Sequence, residues 1–183
     1  MLKGRLVTLR SVKISDKTHF LTWFNDPEVL QYLGLYLPRT EITEEKFIEE
    51  LGDNKSRTYV MFVIDAIENS GNKPIGTTAF SGIDIKDHNA SFDITIGEKE
   101  YWGKGYGTEA ARLMIRFGFE QLNLHRINSG VISFNERSIK MHNKIGFTKE
   151  GLQRQLIFKN GVFYDYVLFG LLRDEWLKLQ DKN

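Results

Sequence analysis

The chain contains no cysteine. That removes disulfide frameworks, thiolate metal sites and cysteine nucleophiles together. Its four histidines, His19, His88, His125 and His142, are scattered, with no pair at i,i+4, so no metal centre is expected. Proline is scarce, three in 183 residues, which leaves no room for a proline-rich linker. No apolar run approaches the roughly 18 residues that span a bilayer, and the opening MLKGRLVTLR lacks the apolar stretch of a secretion signal. A surplus of one charge is missing too. There are 25 Lys and Arg against 24 Asp and Glu, net +1, whereas gripping a nucleic-acid backbone takes a strongly basic balance. What is present is 41% apolar and 13% aromatic residue, enough for a sizeable core and too much for intrinsic disorder. These readings predict one cytoplasmic domain over residues 1–183, with no membrane and no nucleic acid as its primary ligand.

The patterning predicts an alternation of strands and helices. Residues 5–10 alternate as a strand, and Ser15-Asp16 starts a helix carrying Phe20, Leu21 and Phe24 that Asn25-Asp26-Pro27 ends. A second helix is expected from Thr43, with Glu44 and Glu45 in its first turn and Phe47, Ile48 and Leu51 on its buried face. Residues 59–64, 74–83 and 90–96 read as an antiparallel meander. The clearest helix covers 108–122, with Ala110, Leu113, Met114, Phe117 and Leu122 at steps of three and four. A strand over 126–133, a helix over 135–145, a hairpin over 151–172 turning at Asn160-Gly161, and a last helix over 173–180 complete the reading. The class is α/β: a mixed, mostly antiparallel sheet flanked by helices.

The most informative segment is Tyr101-Trp-Gly-Lys-Gly-Tyr-Gly-Thr-Glu109, between an apolar strand and the best helix. Glycine at every second position lets backbone N–H groups turn towards a ligand, and the helix N-terminus adds its own free amides and about half a positive charge. The combination suits a pyrophosphate. Each charge-assisted amide–phosphate bond contributes about 1.5–3 kcal/mol. A Walker A loop is excluded, because Glu98 stands at the required upstream glycine and Gly105 follows Lys104. The dinucleotide pattern GxGxxG fails at Thr108. A glycine-rich turn without a ligand is the alternative.

A second motif lies downstream, Asn135-Glu-Arg-Ser138 followed by His142, Gly146-Phe147 and Glu150-Gly151. With the glycine loop it resembles the GNAT acetyltransferase superfamily, in particular its branch of ribosomal-protein alanine and spermidine acetyltransferases. The likeness runs from Val7-Thr-Leu-Arg10 and Asn25-Asp-Pro-Glu28 to Glu175-Trp176. The resemblance implies the acyl-CoA N-acyltransferase fold and direct transfer from acetyl-CoA to an amine, without a metal. The family loop, Gln/Arg-x-x-Gly-x-Gly/Ala, maps onto Trp102-Gly103-Lys104-Gly105-Tyr106-Gly107 and Thr108, with Trp102 where Gln or Arg is usual. It implies that Thr95 and Ile96 pair with the pantetheine arm, that Asn135 holds it, and that Ser138 lies near the arm or the phosphates. Asn135 is also a natural helix cap.

The family usually has a tyrosine, as acid to the coenzyme sulfur, at the position that His142 occupies here. Two readings stay open: an imidazole donor, or a packing residue with another group or water supplying the proton. The family's strand glutamate falls on Ser91, and Asp93, on the same strand face, is the candidate base; a hydrogen-bonded edge aspartate is its alternative. Glu98 is a weaker candidate. By position, Tyr36, Arg39, Glu41 and Tyr164 are candidate acceptor contacts. The expected acceptor is a protein N-terminus, with small amines, or a catalytically weak acyl-CoA-binding module, as alternatives. A homodimer is compatible with the sequence.

Overall fold

The computed structural model describes residues 1–52 and 58–180. Strands β1 (Leu2–Lys3) and β2 (Val7–Ser11) open the chain, followed by helices α1 (Lys17–Trp23), α2 (Pro27–Leu30) and α3 (Glu41–Gly52). Next come the meander β3 (Tyr59–Glu68), β4 (Gly71–Asp84) and β5 (Asn89–Ile96), then helix α4 (Tyr106–Glu120). Strand β6 (Arg126–Ile132), helix α5 (Glu136–Ile145), strands β7 (Thr148–Lys159) and β8 (Val162–Leu172) and helix α6 (Arg173–Gln180) finish the chain. The eight strands form one sheet in the order β1-β2-β3-β4-β5-β6-β8-β7. Every neighbouring pair is antiparallel except β5 and β6.

One local reading is extended and one corrected. Asn25-Asp26-Pro27 follows the end of α1 as expected, and Pro27 also begins α2: the Asp26 carboxylate accepts from the Glu28 amide at 2.8 Å, and proline sits in a first turn that needs no donor from it. Helix α3 starts at Glu41, two residues before Thr43, and buries Ile48 and Glu44, while Phe47 and Leu51 are only partly covered. The hairpin turn falls as expected, with Asn160 at φ 50° and Gly161 at φ 84°.

The sheet carries helices on both faces. On one, Phe80, Phe92, Ile127 and Leu171 pack with Ala110, Met114 and Phe119 of α4 and Trp176 of α6. Helix α4 turns a broader face to the core than its sequence suggests, adding Ala111, Ile115 and Gly118, while Phe117 and Leu122 lie at its margin. On the other face, Val63 packs with Phe20, Trp23 and Ile48. Arg10 ties this second layer to the sheet, reaching Asp65 of β3 and Asp16 just before α1, each at 2.8 Å. Burying a large apolar side chain contributes about 1.5–3 kcal/mol, so α4 is held firmly against the sheet and its N-terminus is fixed in space.

Candidate active site

Strands β5 and β6 share only three residue pairs, Asn89↔Arg126, Ala90↔Ile127 and Ser91↔Asn128, and then part. Strand β5 stays on β4 as far as Ile96↔Gly76, and β6 stays on β8 as far as Ile132↔Tyr166. At the apex the Ser129 hydroxyl reaches the Phe92 carbonyl at 3.0 Å. Beyond it, the facing edges of two strands are left without each other's hydrogen bonds, an arrangement suited to an amide-bearing chain laid between them. A cleft of about 590 Å³ occupies this gap.

The glycine loop closes one end of the cleft. Gly103 has φ 73° and Gly105, which caps α4, has φ 93°, the left-handed region that side chains disfavour. Among the described residues no acceptor takes the amides of Gly103, Lys104 or Gly105, and those of Tyr106, Gly107 and Thr108 lie in the first turn of α4, where no intrahelical partner exists. Six consecutive amides are therefore free. Trp102, Gly103, Gly105, Gly107 and Thr108 line the cleft; the Lys104 and Tyr106 side chains do not, and Tyr106 packs edge-on against Tyr101 at 5.0 Å. The Trp102 indole donates to the Ile96 carbonyl at 2.7 Å, which fixes its ring. Over that ring, 4.2 Å from its centroid, lies the guanidinium of Arg137, which also covers Tyr32 at 5.2 Å. Arg137 pairs with no carboxylate among the described residues. The sequence reading missed it, because only the fold brings the first turn of α5 against this loop.

Thr95, Ile96, Asn135 and Ser138 all reach the cleft. Asn135 caps α5 through its side-chain oxygen, which accepts from the Ser138 amide at 3.2 Å and leaves the amide nitrogen without a protein acceptor. His142 is 2% exposed. Its Nδ1 faces the Ser138 carbonyl at 2.8 Å, so Nδ1 carries the proton, and Nε2 is left an acceptor 2.9 Å from the Ser129 hydroxyl, whose one proton it shares with the Phe92 carbonyl. The ring stacks on Phe169 at 4.9 Å and meets the edges of Phe92 and Phe147. Burial lowers its pKa, outweighing the bond to Ser138, so the neutral imidazole is favoured.

Asp93 opens into the cleft on the sheet face opposite α4, solvent-accessible but with protein packed around its carboxylate. This crowding raises its pKa, opposed by the bond that the Ser81 hydroxyl donates at 3.1 Å. Ser91 is exposed and does not line the cleft. Glu98 is engaged elsewhere: it accepts from the Trp23 indole at 2.8 Å and has Lys73 at 3.9 Å.

The four candidate acceptor contacts lie outside the cleft lining. Tyr36 is 85% exposed, and Glu41 points to solvent near Lys17. Tyr164 packs edge-on against Phe134, which in turn meets Tyr32 at the rim. Arg39 lies over Phe47 and stands 3.7 Å from Glu44. Glu44 is the unexpected member: fully buried, with neither carboxylate oxygen hydrogen-bonded among the described residues. Burial raises its pKa against the pull of Arg39. The Tyr59 hydroxyl is pushed up to about 12, chiefly by its own burial and then by Asp93, with Glu44 adding to it, so Tyr59 lies within the field of both carboxylates. Lys159 at the tip of the β7–β8 hairpin donates to the carbonyls of Leu30 and Leu35 at 3.1 and 2.8 Å, binding hairpin to rim.

Residues 6–148 match the family described as "Acetyltransferase (GNAT) domain". An uncharacterised N-acetyltransferase, p20, of Bacillus licheniformis is 31% identical over 93% of this chain and 94% of its own. The ribosomal-protein-S5-alanine acetyltransferase of Vibrio fischeri superimposes with a TM-score of 0.82 at 26% identity, covering 95% of this chain and 97% of that one. The spermidine N-acetyltransferase of Vibrio cholerae, solved with CoA and spermine, superimposes with a TM-score of 0.85 over 95% of this chain and 99% of that one. At 23% identity that likeness is one of fold.

Proposed function

Since the chain belongs to the GNAT acetyltransferase family and is therefore an acetyl-CoA-dependent N-acetyltransferase, we propose that it acetylates the α-amino terminus of a protein. The observation that carries the site assignment is the run of six free amides from Gly103 to Thr108 at the mouth of a split sheet. These amides, with the positive end of α4, hold the diphosphate, and Arg137 adds the cation that the loop lacks at Trp102. The Lys104 and Tyr106 positions contribute backbone rather than side chain. Thr95 and Ile96 offer the β5 edge to the arm, the Asn135 side-chain amide donates to it, and Ser138 flanks it. Bound in this way, acetyl-CoA supplies an acyl group already activated as a thioester.

Asp93 takes the proton from the attacking nitrogen through a water. An α-amino group titrates near ~7.7–8.0 and needs little help, whereas a polyamine nitrogen near ~10.4 costs about 4–5 kcal/mol to deprotonate at neutral pH. A single carboxylate suits the first better. Beside the cleft residue Ile157, the hairpin exposes Leu156, Phe158 and Phe163, an apolar border fitted to a polypeptide. His142, with both nitrogens bonded inside the protein, positions Ser129 at the apex, and the departing sulfur takes its proton from another group.

A small cationic amine is the second reading, favoured by Glu44, a buried carboxylate with no hydrogen-bond donor among the described residues. Thiol release from acetyl-CoA over a panel of alanine-initiated peptides, spermidine and amino sugars tests the choice. A peptide product acetylated on its α-nitrogen, identified by mass spectrometry, is expected. Turnover of spermidine alone reverses the order, and thiol release from no amine favours a binding module.

A further inference from the structure

We propose that Tyr166 is the proton donor to the departing sulfur, acting across the split sheet from Asp93. The inference rests on the reading of the cleft as a thioester site. Tyr166 is the last residue of the β6–β8 ladder, opposite Ile132, and shares the sheet face of Gly130 and Asn128. Asn128 pairs with Ser91, so Asp93 lies on that face as well, and Gly130 is the β6 position that would meet Asp93 had the strands stayed together. The tyrosine ring lies across this glycine. A Cβ at Gly130 would stand 2.2 Å from Tyr166 Cε1 and 2.5 Å from its hydroxyl oxygen, so only glycine admits the ring here. Phenol and carboxylate thus occupy the two lips of the opening, and both line the cleft.

The hydroxyl is also uncommitted. Among the described residues no protein group bonds the Tyr166 hydroxyl, whereas the Tyr101 hydroxyl donates to Glu68 and the nitrogens of His142 are both engaged. Burial, with Asp93 adding to it, raises the Tyr166 pKa above the ordinary phenol value, so the donor keeps its proton throughout the neutral range.

The step balances. The acceptor nitrogen forms a bond to the thioester carbonyl carbon and loses one proton to Asp93. The carbon–sulfur bond breaks with its electron pair on sulfur, and the Tyr166 oxygen gives that sulfur its proton. The proton held by Asp93 then returns through water to the phenolate, restoring both groups.

Hydroxylamine, a nucleophile that needs no acceptor pocket, isolates the step when CoA thiol is measured. Tyr166→Phe is expected to lower kcat about 10²-fold, the lower range for general acid catalysis, with the Kd for CoA unchanged. Gly130→Ala, which displaces the ring without removing the hydroxyl, is expected to lower kcat in the same direction. A Tyr166→Phe enzyme with an unchanged melting temperature and a kcat within threefold of the parent overturns the proposal alone. A parent enzyme that binds CoA but releases thiol to hydroxylamine no faster than the uncatalysed reaction overturns the reading of the cleft beneath it.

Discussion

Replacing Glu44 by methionine should make the protein more stable and its acceptor binding worse. The side chain is fully buried, both oxygens lack a donor, and its one ionic partner among the described residues, Arg39, stands at 3.7 Å. A buried polar group left without a partner costs about 1–3 kcal/mol, and methionine fills similar volume without that cost. For a domain of this size each kcal/mol moves Tm by about 2–4 °C, so a rise on the order of 5 °C is expected. The pH dependence has a definite sign. Burial raises the folded-state pKa of Glu44, so between the unfolded value near ~4.3 and that raised value the native state binds more protons than the unfolded chain. Stability therefore falls as pH rises through this window. The advantage of Glu44→Met should be full at pH 8 and shrink towards pH 4. Thermal melts at both pH values read the stability, and, on the small-amine reading, a KM for spermidine raised about tenfold reads the function. A variant less stable than the parent at pH 8 would refute the claim that this carboxylate is stranded. An unchanged KM would remove it from acceptor recognition.

His142→Phe should keep turnover within about fivefold of the parent from pH 6 to 9, since the imidazole works from behind Ser129; a loss of 10² or more, in the range of a missing general acid, would return it to proton transfer. Gly105→Ala should raise the KM for acetyl-CoA about tenfold, because alanine at φ 93° carries roughly 1–2 kcal/mol of strain that straightening the loop relieves. Its Cβ would meet only Leu6, at 3.7 Å, so a large loss of Tm would show that packing rather than loop geometry was disturbed. Asp16→Ala should destabilise by about 3 kcal/mol, since it strips Arg10 of a buried partner. Desolvation pushes the Asp16 pKa up, but the bonds from Arg10 and the Lys13 amide win and lower it. Its contribution is therefore present above the unfolded value near ~3.9 and is lost as pH falls through the folded one, which acid-denaturation curves of parent and variant would display.

What the sequence disclosed was whatever depends on neighbours in the chain. The Asn160-Gly161 turn and the glycine loop announce themselves because positive φ is a local demand, and α4 does so because its apolar residues recur at helical spacing. Pro27 marks the end of α1, but proline starts a helix as readily as it follows one, and only the Asp26 cap reveals α2. Glu44 looked like an ordinary first-turn glutamate, and no pattern in α3 says that this turn faces the sheet. Arg137 on Trp102 and Tyr166 on Gly130 join segments more than thirty residues apart, and their meaning exists only after folding. The acceptor contacts read from position, Tyr36 and Glu41, lie on the outer surface, outside the cleft lining.

The account stands on backbone amides that grip a diphosphate, and amide hydrogen exchange measured with and without CoA tests this directly. Exchange at residues 103–108 should slow by an order of magnitude or more on binding, because each amide gains an acceptor that the free protein does not provide. CoA that binds with protection elsewhere and none across this loop would contradict it.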